Sequence, residues 1–257
     1  MSMAFPRSGP DGLLLERHNT APEPSTGPPA SIEVRVSKQA LARIAGGLYL
    51  ILLVGSFFGN WVSSGIVKSE DATATADNIR SSATLFRVGL TVELVAATAF
   101  LFTAMALYLL LAHVDRLVAA AMVITVAVSA AMMSFNLLNH YAALKIATDN
   151  ALTGVFGATQ SDQLALLFTD LKTNGFFLAQ MTFALWLLPL GYLVSKSGYV
   201  PKVFAILLSI AGCSLLIEMF AHLLDAPDII ATATLPVSAV AELSFFAWLI
   251  VKGVRTS

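Results

Sequence analysis

Residues 215–225 read LLIEMFAHLLD, with Glu218 and His222 four apart inside an otherwise apolar run. At that spacing two side chains share one helix face, so they can hold one ion or hand a proton between them. His140 and Glu93 are the residues that complete a mixed nitrogen and oxygen set suited to zinc, so His140, Glu218 and His222 are the candidate metal ligands. Two further chemistries use the same groups. His140 and His222 on facing helices would suit a bis-histidine haem, and carboxylates beside histidines are the parts of a proton-coupled pathway. The HExxH signature is absent, as are a phosphate loop, a serine elbow and a dinucleotide fingerprint.

These residues belong to a wider pattern. Ser214, Glu218, His222 and Asp225 fall on one face of one helix, and Thr125, Ser129, Asn136 and His140, with Asn139 beside them, fall on another. Thr234, Ser238 and Glu242 recur every four residues. Tyr49, Ser56 and Asn60, then Glu93, then Gln180 supply the remaining runs. Each apolar cylinder has one polar seam, and lipid offers such groups no hydrogen-bond partner, so the seams should converge inside a bundle. The candidate pocket residues are therefore Glu93, Asn136, Asn139, His140, Gln180, Glu218, His222 and Glu242. The asparagines, Gln180 and the serines also fit plain interhelical hydrogen bonding. The carboxylates are harder to explain so, because no lysine or arginine falls within an expected span to pair them.

The elements that position these seams are long and apolar. Of 257 residues, 57% are hydrophobic and 12% charged, about half the charge of a soluble domain. Six apolar segments, near 40–66, 87–112, 116–144, 173–195, 201–224 and 230–251, each reach the roughly 20 residues that cross a hydrocarbon core about 30 Å thick. The fold class expected is all-α: an integral membrane bundle of about six helices over residues 37–257. Six of the ten prolines lie before residue 37, so 1–36 reads as a disordered cytoplasmic tail with no signal-peptide core. The loop segment SDQLALLFTDLK, with Ser161 as its cap, reads as a short helix lying flat on the outer surface. Ala42 with Gly46, and Ala127 with Ala131, are small-residue pairs that permit close packing. Cys213, the lone cysteine, reads as a buried filler.

Charge then orients the bundle. With both termini cytoplasmic, eight lysines and arginines flank the inner ends and five the outer. On a rise of about 1.5 Å per residue, Glu93, Glu218, His140, Asn60 and Gln180 all lie within about 12 Å of outer helix ends, and Glu242 near the midplane. The expected site is a polar pocket in the outer half, binding or passing a small molecule, an ion or a lipid. A membrane-embedded metal-dependent enzyme and a non-catalytic membrane partner protein are the alternatives. A net charge of −1 gives no reason to expect nucleic acid.

Four stretches carry a resemblance: ARIAGGLYLILLVGSFFG at 42–59, ATADNIRSSATLFRVGL at 74–90, GYLVSKSGYVPKVFAILLSIAGCSLLI at 191–217 and AELSFFAWLIVKGV at 241–254. Together they resemble the bacterial membrane family called domain of unknown function 4386, over about residues 40 to 254. That family often has a basic residue in its third helix, where this chain reads VITVAV. The resemblance implies a polytopic protein of the inner membrane, and it implies no activity, cofactor or site residue.

Overall fold

The computed structural model describes residues 37–224 and 229–255, with side chains in the last helix from residue 236 onward. The expected tail and Asp225 lie outside the described residues, as does the side chain of Thr234.

Each helix starts and stops where its local chemistry dictates. Helix α1 (Lys38–Ile66) is capped by Ser37, whose hydroxyl accepts from the Ala40 N–H at 3.1 Å. Asp71 caps α2 (Ala72–Ser81), and α3 (Ala83–Leu111) follows it directly. Asp115 accepts from the N–H groups of Leu117 and Val118 to open α4 (Arg116–Thr148). Asp149 then opens the short α5 (Asn150–Phe156). Helix α6 (Ala158–Ser197) ends at Gly198, whose φ of 70° is the left-handed conformation that glycine adopts without strain. Pro201 then precedes α7 (Lys202–Leu223), so SGYVP is a stop and a start in five residues. Helix α8 (Ile229–Val251) completes the described chain.

Five of these helices, α1, α3, α4, α6 and α7, are long and apolar enough to cross a membrane, and 236–251 of α8 forms a shorter apolar helix. The six pack in chain order, α1 on α3, α3 on α4, α4 on α6, α6 on α7 and α7 on α8, and α1 closes the ring against α8. Large apolar side chains cover the outside: Phe57 is 75% exposed and Leu117 80%. Exposure of that kind is paid back in lipid and not in water.

The interior is two apolar clusters, not one. The larger gathers Tyr49, Leu107, Met122, Trp186, Leu208 and Leu249 towards the end where α1 begins and α8 finishes. The smaller gathers Val62, Ile79, Phe86, Leu144 and Ala165 beneath α2. Where α1 begins and α8 finishes, Gln39 donates to the Lys252 carbonyl at 3.0 Å, and the Arg255 N–H donates to the Tyr199 carbonyl at 2.9 Å. At the opposite end Arg80 of α2 donates to the Ala147 carbonyl at 2.9 Å and pairs with Asp162 of α6. Each end is thereby tied across several helices.

Several expectations are corrected. SDQLALLFTDLK is not a separate surface helix but the opening of the 40-residue α6, about 60 Å long. Its capping position is taken by Gly157, and Ser161 is buried in the helix body. The inward face there is Ser161, Asp162, Ala165 and Thr169, while Leu167 and Leu171 point out. The ion pair with Arg80 and the packing of α2 decide that face, and they outweigh the leucine periodicity. Cys213 is exposed on the outside of the bundle. Ala42 and Gly46 are buried, and a Cβ at Gly46 would strike Ile250 and the α8 backbone, so this pair does bring two helices close. Ala127 and Ala131 are exposed and bring nothing together.

Candidate functional site

The polar seams meet in the gap between the two apolar clusters. Along α1 that gap holds Ser56 and Asn60, along α3 Glu93, along α4 Met133 and Asn136, and along α6 Phe176 and Gln180. With Ser63, Lys172, Phe177 and, from α7, Glu218, these side chains line a cavity of about 350 Å³. That is a volume typical of small-ligand sites.

One polar chain crosses the bundle here. The Asn139 amide donates to Asn136 Oδ1 at 3.0 Å, and Asn136 Nδ2 donates to the Lys172 carbonyl at 2.7 Å. The Lys172 Nζ donates in turn to Glu93, 3.2 Å from Oε2. Three helices, α4, α6 and α3, are thus linked by hydrogen bonds that lipid could not supply. Glycines make room for it: a Cβ at Gly59 would collide with the Glu93 side chain, and one at Gly175 with Asn136.

The pair corrects the expectation that no lysine or arginine falls within a span to pair the carboxylates. Lys172 sits one residue before the apolar segment expected to begin at 173, and on sequence it reads as a loop residue. In the continuous α6 it is one turn above Phe176 and two above Gln180, on the same inward face. That i, i+4, i+8 spacing is the signal that could have found it. Ser63, Met133, Phe176 and Phe177 are further lining residues outside the seams.

Beneath this cavity lies a second of about 320 Å³, sharing Ser56, Met133, Phe176 and Gln180 as a common wall. It is lined by Tyr49, Phe100, Phe183, Trp186 and several leucines, and Glu242 is its one carboxyl. Glu242 accepts from the Tyr49 hydroxyl. The Tyr49 ring stacks on Phe246, centroids 3.5 Å apart.

The remaining candidates stand apart from both cavities. His140 is buried, with Nε2 3.5 Å from the Ser63 hydroxyl and its ring against Phe86. It meets Glu93 only across a small gap also lined by Gly59 and Gly89. His222 is exposed, bonded through Nε2 to Asn174 at 3.2 Å and stacked on Phe177. The two histidines have separate partners, and among the described residues no three of His, Cys, Asp or Glu come together to hold a metal ion. The proposed ligand set of His140, Glu218 and His222 is therefore not assembled. Height along α7 explains it: Glu218 faces the cavity, and His222, on the same side but in the last turn of the helix, is taken up by Asn174 and Phe177.

Two buried oxygens complete the site. Glu218 and Gln180 are 2% and 3% exposed, and Glu218 Oε2 and Gln180 Oε1 each find no hydrogen-bond partner among the described residues. Buried acceptors are rarely left so.

Five helices long and apolar enough to cross a membrane, packed side by side, mark a multi-pass membrane protein. Residues 44–253 match the family described as a domain of unknown function, DUF4386, and the chain belongs to that family. A search of curated proteins and one of solved structures each find no match.

Proposed function

We propose that this protein binds an amphiphilic small molecule or lipid from the membrane, its polar group in the Glu93–Lys172 chamber and its hydrocarbon part in the Tyr49–Trp186 chamber. The carrying observation is the common wall of Ser56, Met133, Phe176 and Gln180 between one polar and one apolar cavity. A purely ionic ligand has no use for the aromatic chamber, and a purely apolar one has no use for the charged chamber. In this reading α8, 23 residues and about 34 Å long, is the sixth span. Pro236 within it is no obstacle, since neighbouring helices can satisfy a freed carbonyl.

Both termini then face the cytoplasm and the polar chamber opens towards the outer half of the inner membrane. The support is the excess of lysine and arginine at the end where α1 begins and α8 finishes.

The test uses the full chain in phosphatidylcholine nanodiscs. Trp186 lines the apolar chamber. Ten-carbon amphiphiles should change its emission saturably, and Trp186→Phe should abolish that change while Trp61 and Trp248 remain. A signal that rises linearly with concentration, or survives in Trp186→Phe, would mean partition into lipid only and would sink the reading.

A further inference from the structure

The chemistry of the headgroup can be read from which polar atoms of the chamber are already committed, given the amphiphile reading above. Lys172 is bound to Glu93, so the cation cancels that carboxylate. Asn136 Nδ2 is bound to the Lys172 carbonyl, Asn139 Nδ2 to Asn136, and the Thr173 hydroxyl to the Thr169 carbonyl. The Lys172 charge is thus matched by Glu93, the Asn136 and Asn139 amides each have a partner, and the Gln180 amide is bonded to Glu218. What is left buried and unpartnered is acceptor only: Glu218 Oε2 and Gln180 Oε1, on facing helices. At these two oxygens a phosphate, sulfate or carboxylate would set acceptor against acceptor. A hydroxyl could satisfy one of the two oxygens but would bring no charge to the carboxyl of Glu218.

We infer that the chamber takes a primary ammonium group joined to a hydrocarbon chain, its N–H bonds donated to Glu218 Oε2 and Gln180 Oε1. Such a group carries three donors and one positive charge, which matches one carboxylate and one amide oxygen. Phe176 and Phe177 line the same cavity, and aromatic faces attract a cation further. Gln180 borders both chambers, so a chain attached to that ammonium continues past it to Tyr49 and Trp186.

The experiment compares decylamine, decanol and decyl sulfate on the full chain in phosphatidylcholine nanodiscs, read by Trp186 emission. Decylamine should bind about tenfold or more tighter than decanol, the gain expected from hydrogen bonds to a charged partner. Decyl sulfate should bind weakest. Glu218→Gln should bring decylamine to the level of decanol without moving decanol. Gln180→Glu, which adds a second carboxylate, should tighten decylamine, a gain that misfolding cannot mimic. Competition by a single-chain lysophosphatidylethanolamine would locate the amine on a lipid headgroup, and failure to compete would locate it on a free amine. If decanol equals decylamine, or Glu218→Gln keeps the preference, the ammonium assignment falls while the two-chamber reading stands. If none of the three probes saturates, the two-chamber reading falls with it.

Discussion

Glu93 and Glu242 are both glutamates on apolar helices, each lining one of two adjoining chambers, and they are satisfied in opposite ways. In the polar chamber Glu93 meets a charge, the ammonium of Lys172. In the aromatic chamber Glu242 meets a neutral hydroxyl, that of Tyr49. Position along the helix accounts for the difference. Lys172 lies in the polar gap between the two apolar clusters, its side chain 12% exposed. Deep in the larger apolar cluster a lysine would itself be a costly charge, whereas a tyrosine brings a donor on a ring that packs against Phe246 and Trp186. Here the polar gap holds an ion pair and the apolar cluster a neutral hydrogen bond.

The largest test removes one side of the ion pair. Lys172→Met leaves Glu93 facing a chamber with no cation, and breaking such a pair costs about 3–5 kcal/mol when buried, less with partial hydration. Thermal unfolding in detergent should show the loss. The double variant Glu93→Gln with Lys172→Met should recover most of it. A double variant as unstable as the single one would mean that Lys172 acts through packing and not through charge.

A smaller effect is expected at Gly59, where an added Cβ collides with Glu93. Overpacking of this kind costs about 1–3 kcal/mol. Gly59→Ala should lower the melting temperature in the wild-type background and much less in Glu93→Ala, which removes the atoms it strikes. Equal losses in both backgrounds would place the strain elsewhere in α1.

The pair in the aromatic chamber is gentler still. Tyr49→Phe deletes the donor to Glu242 and nothing else, and an interhelical hydrogen bond in a membrane is worth about 1–2 kcal/mol. Combining it with Glu242→Gln should show coupling between the two sites. Additive losses would mean that the stack of Tyr49 on Phe246, and not the hydroxyl, is what the aromatic chamber uses.

How much of this is legible in the sequence depends on the kind of contact. Helical periodicity alone places Glu93, Asn136, Gln180 and Glu218 on inward faces, because lipid permits polar groups nowhere else. The split of the core into two clusters is not legible, since no run of residues marks a level at which different helices become polar together. Lys172 is missed because a hydropathy edge at 173 separates it from a helix that continues through it. Asp162 is missed for a related reason: its partner, Arg80, is 82 residues away. The outward turn of His222 depends on Phe177 and Asn174, which lie in another helix and carry no signal of pairing.

A third carboxylate, outside the spans, sets the scale for the other two. Asp149 joins α4 to α5 and accepts from the Ala151 N–H at 3.0 Å, with Lys145 3.4 Å away. The backbone hydrogen bond, with help from Lys145, lowers its pKa from the ordinary value of 3.8. A lowered pKa means stability that is present above 3.8 and is lost as pH falls through the folded value. Asp149→Asn should therefore cost the least of the four changes at neutral pH, because this carboxylate is partly exposed to water and asparagine still caps. That cost should shrink in melts once pH falls below 3.8 and vanish below the folded value. A difference that persists undiminished in acid would show that Asp149 works through shape and not through charge, and the contrast between watery and buried carboxylates would lose its reference point.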